Sequence, residues 1–223
     1  MLHGRSKTLT SSNAQNVLPD YLTSGLKVVF VGSGASDVSA SCGHYYANRG
    51  NSFWTLIHEA GLTDRCLSPI EDYSVLEYGL GLTDIVKSRH SGDDSKLLSI
   101  PLKKEARILE NKIKAYSPYV ICFTSKNAYK AFSNHEAKSF GQQSEKIGSS
   151  KIFVTPSPSG RVPSKKMFNG KTRSQWYKEL ASFVNNYKYF GLSSLVVTSK
   201  NLKNIFQIRR AYVLKTLNTE QGL

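Results

Sequence analysis

Three runs rich in β-branched and aromatic residues limit what this chain can fold into. They are "LKVVFVG" at 26–32, "YVICFTSK" at 119–126 and "KIFVTPSPSG" at 151–160. Each stops at small or polar residues and gives way to a stretch with helical spacing. After the first comes "NSFWTLIHEAGL", with Phe53, Leu56, Ile57 and Ala60 on one face, Asn51 as N-cap and Gly61 as stop. "NAYKAFS" follows the second run and "SQWYKELASFVNNY" the third. A fourth helix, "PLKKEARILENKIKAYSP", aligns Leu102, Ala106, Leu109 and Ile113, with Pro118 beyond its end. "SVLEYGLGLTDIV" reads as a turn leading into a strand or extended segment. Strands alternating with helices return to their sheet through crossovers, so they pair in parallel and need cover on both faces. The predicted fold class is α/β, a three-layer α/β/α sandwich around a central, mainly parallel sheet. The predicted organisation is a flexible tail over 1–18, one domain over 19–187 and a basic extension over 188–223. Within that extension, "KNLKNIFQIRRAYVLK" has the pattern of an extra basic helix. No internal repeat is present.

With 39% hydrophobic residues in a chain of 223, the composition supports a real core and excludes wholesale disorder. Three cysteines, Cys42, Cys66 and Cys122, form no CxxC pair. The odd count argues against a disulfide framework and a structural zinc site, and for a reducing compartment. No metal or cofactor is predicted. The sequence has no apolar run of membrane-spanning length and no apolar centre in its first residues, so no membrane partner and a cytoplasmic location are expected. The formal charge is +14, and it is concentrated. Residues 146–223 hold 14 Lys and Arg against two acids, Glu179 and Glu220. Clustering of this kind suits a polyanion.

In a parallel α/β sheet, ligands bind beyond the carboxyl ends of the strands. Two loops stand out there by composition, "GSGASD" at 32–37 and "TPSPSGR" at 155–161. The first is not a dinucleotide loop, because Asp37 occupies the place of the third glycine in G-x-G-x-x-G, and no Walker lysine follows. A nucleotide-binding enzyme is thus the weaker reading of the residues.

The stretch "LKVVFVGSGASDVSASCGHYYANRGNSFWTLIHEAGLTDRCL" resembles the first motif region of the mismatch-specific uracil-DNA glycosylases, relatives of thymine-DNA glycosylase. "EYGLGLTDIV" resembles that family's next segment, and "KIFVTPSPSGR" its second motif. The similarity runs over roughly 19–187. It implies a uracil-DNA glycosylase-like fold in a monomer. It also implies excision of uracil, or of another deaminated or mismatched base such as hypoxanthine, by base flipping, with uracil-containing, mismatched or abasic DNA as partner. The implied chemistry is monofunctional hydrolysis of the N-glycosidic bond without metal or cofactor.

The departures bear on mechanism. Gly34 stands where the family has its water-holding asparagine, and Ala35 replaces a proline. Either activity is lost, leaving a relative that binds uracil or abasic sites, or another group has taken over. Asp84, in the segment that borders the base pocket by resemblance, is the first catalytic candidate. Asp37, just past the turn, is the second. The competing structural reading makes both capping residues. Base-binding candidates are backbone donors from Ser33 to Ala35 including Gly34, His44, Tyr46 as the stacking aromatic, and Asn51. For the second loop, the resemblance implies DNA contacts from Ser157, Ser159, Gly160, Arg161, Lys165 and Lys166.

Overall fold

The protein is described by a computed structural model over residues 16–191, apart from positions 100, 101 and 164, with side chains described up to 186. Five strands form one sheet in the order β2-β1-β3-β5-β4. They are β1 (Val28–Gly34), β2 (Leu80–Val86), β3 (Val120–Phe123), β4 (Gly141–Ile147) and β5 (Ser150–Val154). β1 pairs in parallel with β2 and β3, and β3 with β5, while β4 closes an edge antiparallel to β5. The four parallel strands are mainly apolar and almost wholly buried, as strands covered on both faces must be. "LGLTDIV" is therefore a full strand.

The helices are α1 (Asp37–Cys42), α2 (Phe53–Glu59), α3 (Asp94–Leu98), α4 (Lys103–Tyr116), α5 (Lys126–Ser133) and α6 (Arg173–Gly191), with a 3-10 stretch at Pro69–Tyr78. Neighbouring strand residues point to opposite faces. Phe30 meets Phe53 of α2 edge-on at 5.1 Å and stacks over Tyr177 of α6 at 6.5 Å. Val29, on the other face, lies with Leu109 and Ile113 of α4. The fold is thus an α/β sandwich with α2 and α6 on one side and α4 on the other. Among the described residues no helix is long and apolar enough to cross a membrane, and all three cysteines are free.

Three sequence expectations need adjustment. Residues 17 and 18 are not tail: Val17 N–H donates to the Lys87 carbonyl at 2.8 Å, and Leu18 is buried in the core. At the other end, α6 continues past 187 to Gly191. Asn51 is not the formal N-cap of α2, which is Ser52, although Asn51 Oδ1 accepts the Phe53 N–H at 3.0 Å. Residues 1–15 and the "KNLKNIFQIRRAYVLK" helix lie outside the described residues.

Candidate active site

The parallel strands end on one side, and their C-terminal ends with the loops that follow enclose a cavity of about 420 Å³. The pairing of β1 with β3 stops at Val31 and Phe123. Beyond it β1 keeps β2 as its strand partner, and Gly32, Ser33, Gly34 and Ala35 line the cavity. The stretch read as a turn is therefore strand as far as Gly34. The chain leaves the sheet at Ala35, and the Ser36 hydroxyl then accepts the Ser39 N–H to cap α1.

Asp84 sits on β2 directly across the ladder from Gly32. A methyl group placed on Gly32 would overlap Asp84 Oδ1 and lie 3.8 Å from the Tyr46 hydroxyl. The glycine therefore provides the room into which the carboxylate leans. Asp84 is 6% exposed, and among the described residues no hydrogen bond supports its carboxylate. Burial pushes the carboxyl up to about 6; Lys87 pulls against this, while Asp20 and Asp94 add like-charge repulsion. Lys87 does not pair with it directly. Its ammonium lies 2.9 Å from Asp20 Oδ1 and donates to the Tyr45 hydroxyl at 2.7 Å, and Lys112 takes the other Asp20 oxygen. The result is a buried carboxylate, without a hydrogen-bonded partner, on the wall of a cavity.

Tyr46 lies beside it in a left-handed conformation, φ 52°. Its ring stacks on Phe53 with centroids 3.8 Å apart and planes 18° apart, so one face is already occupied. Its buried hydroxyl has no hydrogen-bond partner. Across the cavity, Ser33 Oγ donates to Asp94 Oδ2 at 3.2 Å, and burial raises the Asp94 carboxyl above its usual range.

The second loop is fastened to the "NSFW" segment. Ser52 N–H and Oγ both donate to the Pro158 carbonyl, at 2.9 and 3.0 Å. Buried Arg173 donates to Ser52 Oγ at 2.7 Å and to the Val162 carbonyl at 2.7 Å. A methyl on Gly160 would collide with the Gly50 carbonyl, so this glycine is fixed by close approach of two loops. Arg161 is exposed and lines both the cavity and an adjoining groove with Asp37, Asn48 and Gly50.

A sequence model of the uracil DNA glycosylase superfamily matches residues 19–181, well over half of the chain. The chain belongs to the uracil DNA glycosylase superfamily. Membership makes it a DNA glycosylase, with DNA as substrate. A solution NMR structure from Methanosarcina acetivorans, assigned as a candidate uracil DNA glycosylase, is similar in fold. It is 22% identical over 77% of this chain and 98% of that one, with a TM-score of 0.50.

This superfamily member gathers some of the sequence candidates and disperses others. Asp84, Ser33, Gly34, Ala35, Tyr46, Asn51, Ser157, Ser159 and Arg161 all line the cavity. Asp37 does not. It begins α1, is exposed, and accepts from the Gly92 N–H at 3.0 Å with His90 Nδ1 2.9 Å away. The His90 contact, then the Gly92 N–H, hold its carboxyl below the usual range. It braces the 90–92 turn. His44 is also elsewhere, buried with Nδ1 3.4 Å from Asp72 Oδ1. Gly160 packs against Gly50 and lines the adjoining groove with Ser159 and Arg161. Ser157 and Ser159 accept the Ser159 and Arg161 N–H groups, both at 3.3 Å, which shapes the loop. Lys165 and Lys166 are exposed. Sequence reasoning missed Asp94, although "SGDDS" follows a strand and so falls at the ligand end of the sheet. It also counted Arg173 among the clustered charges, whereas that guanidinium is buried and spent on the two loops. Among the described residues no three His, Cys, Asp or Glu side chains converge as a metal site needs.

Proposed function

We propose that this glycosylase excises a deaminated or mismatched base, uracil foremost, by flipping it into the cavity and hydrolysing its N-glycosidic bond with water alone. The observation that carries this reading is Asp84, a buried carboxylate without a hydrogen bond, at the cavity wall. Breaking the bond leaves a sugar with oxocarbenium character and an anionic base. A carboxylate beside the anomeric carbon offsets the first charge and takes a proton from the attacking water. Backbone N–H groups at the open end of β1 suit the carbonyls of the leaving base. Asp84 then does the work that a side chain at position 34 does in relatives bearing asparagine there.

The test is single-turnover cleavage of matched duplexes carrying uracil, thymine opposite guanine, or hypoxanthine. Fastest release of uracil supports the reading. Fastest release of hypoxanthine moves the substrate class. Binding to all three without release of any base overturns excision and leaves a recognition protein.

The exposed Lys165 and Lys166 carry a separate prediction. Affinity for DNA falls steeply with salt, and Lys165→Ala with Lys166→Ala reduces the slope of log affinity against log salt by about 2. Base preference stays as in the parent. Titration by fluorescence anisotropy at several salt concentrations reads both quantities, and an unchanged slope removes these lysines from the phosphate path.

A further inference from the structure

Beside the cavity lies the groove that Asp37 and Arg161 share, of about 450 Å³, and base excision as argued above leaves it without a task. Asn51, Gly92, Ser159 and Arg161 line both spaces, so the two are continuous. Asp37 is the acid of the groove. Its side chain is 68% exposed, yet it is held in place, with Oδ2 accepting the Gly92 N–H at 3.0 Å and Oδ1 2.9 Å from His90 Nδ1. A carboxylate has about four acceptor positions, so capacity is left over in a fixed direction. A methyl on Gly92 would lie 3.0 Å from Asp37 Oδ2 and 3.5 Å from Arg161 Nη2. The carboxylate and the guanidinium therefore converge over a glycine that keeps the space between them open, and Asp37 pairs with His90 rather than with Arg161. Asn48 and Asn51 spend their amide oxygens on the Gly50 and Phe53 N–H groups, at 3.2 and 3.0 Å, which leaves both NH2 groups as donors.

We infer that this groove takes the nucleotide next to the flipped one, and that Asp37 is a specificity-determining residue that accepts a hydrogen bond from the exocyclic amine of its base, cytosine foremost. This rests on the proposed flipping of a base into the cavity. The neighbouring nucleotide is tied to the flipped one through a single phosphate, so it stays beside the cavity mouth, where the groove is. Charge selects which part of it faces Asp37. A carboxylate repels phosphate, whereas it is a fitting acceptor for cytosine N4. Thymine presents a carbonyl where cytosine presents the amine, so two acceptors would meet. Arg161, across the gap over Gly92, suits the phosphate that links the two nucleotides, and the NH2 groups of Asn48 and Asn51 suit backbone oxygens.

The test varies the base on either side of the lesion in otherwise identical duplexes. Affinity is read with a stable abasic analogue at the lesion position, and single-turnover excision with uracil there. The parent is expected to bind and act about tenfold better with cytosine than with thymine at one flank. Asp37→Asn removes the charge but keeps an acceptor for the Gly92 N–H, and it is expected to bring that ratio close to one. Comparing parent and variant on the same duplex cancels the strength of the flanking base pair. His90→Ala is the control. His90 lines neither space, and the Gly92 N–H still holds the carboxylate in its absence, so the preference is expected to stay. Equal affinity for all flanks in the parent overturns the inference, as does a preference that survives Asp37→Asn. A uniform loss of affinity in Asp37→Asn, or loss of the preference in both variants, overturns it in favour of a bracing role alone. A flank preference in binding without release of uracil upholds the groove and sinks excision, and release of uracil at equal rates over all flanks does the reverse.

Discussion

Asp84→Asn is expected to lower single-turnover excision at least about a hundredfold at neutral pH while raising the melting temperature. Both effects follow from the same burial. The Asp84 carboxyl titrates near 6 in the folded protein against an ordinary value of 3.8. Between those pH values the folded state holds more of the proton than the unfolded chain does. The contribution of this group to stability is therefore fully present below about pH 4 and is lost as pH rises towards 6. At neutral pH the ionised carboxylate costs the fold about 3 kcal/mol, from roughly 1.4 kcal/mol for each tenfold rise in proton affinity. An asparagine of the same shape recovers part of that, which amounts to several degrees in a domain of this size. Catalysis has the opposite requirement, since only the ionised carboxylate can take a proton or face a cationic sugar. The parent's pH–rate profile should fall about tenfold for each pH step of one below about pH 6, and Asp84→Asn should lack that limb. Differential scanning calorimetry and rapid-quench cleavage across pH 5–8 check the two halves separately. An Asp84→Asn protein that is fully active sinks the assignment, and one that is inactive and less stable than the parent points to a structural carboxylate.

The strands most legible in sequence are the ones buried on both faces. Val28–Val31, Val120–Phe123 and Ile152–Val154 are continuous apolar runs because α2, α4, α5 and α6 leave no polar face to them. β2 is only half legible, since "LGLTDIV" interrupts its run with Gly81, where a side chain would collide with Leu26 and the Tyr21 carbonyl, and with the acid of the site. β4 is not legible at all. "GQQSEKI" is an edge strand whose Gln142, Glu145 and Lys146 face water, and charged, exposed edges are how sheets avoid further pairing. It joins β5 through a two-residue turn with Gly148 at φ 60°, a turn that the sequence reading does not pick out. At the site, a carboxylate can be nominated from "GLTDIV", but its lack of a partner depends on where Lys87 and Lys112 send their charges, and both go to Asp20. The same holds for Arg173, whose sequence context of Lys171, Arg173 and Lys178 is that of a basic surface. Only the packing of α6 against the second loop turns its guanidinium inward. His44 shows the reverse case, because a histidine beside two tyrosines gives no hint that Asp72, 28 positions later, will claim it.

Gly32→Ala is expected to abolish most excision at little cost in stability, and to separate Gly32 from Gly34. Gly32 and Asp84 are paired across parallel strands, and their side-chain positions fall on the same face of the sheet. The added methyl overlaps Asp84 Oδ1, which is the far end of a side chain, so the strand need not move; the carboxylate must swing away. A displacement of about 1 Å in a group that sets the geometry of attack costs roughly a hundredfold in rate. DNA affinity should persist, because the basic surface is untouched. Gly34→Asn behaves differently. A side chain at 34 starts 3.1 Å from Leu97 Cδ1 and 3.2 Å from the Val86 carbonyl, on a path towards α3 and the backbone of β2. Replacing the glycine with the asparagine of related enzymes is therefore expected to cost stability through overpacking, about 1–3 kcal/mol, without restoring a water holder. Chemical denaturation and single-turnover cleavage on the two variants distinguish the cases. Parent-rate excision by Gly32→Ala would show that the carboxylate does not need the space over that glycine, and a Gly34→Asn protein faster than the parent would place the water beside position 34 after all.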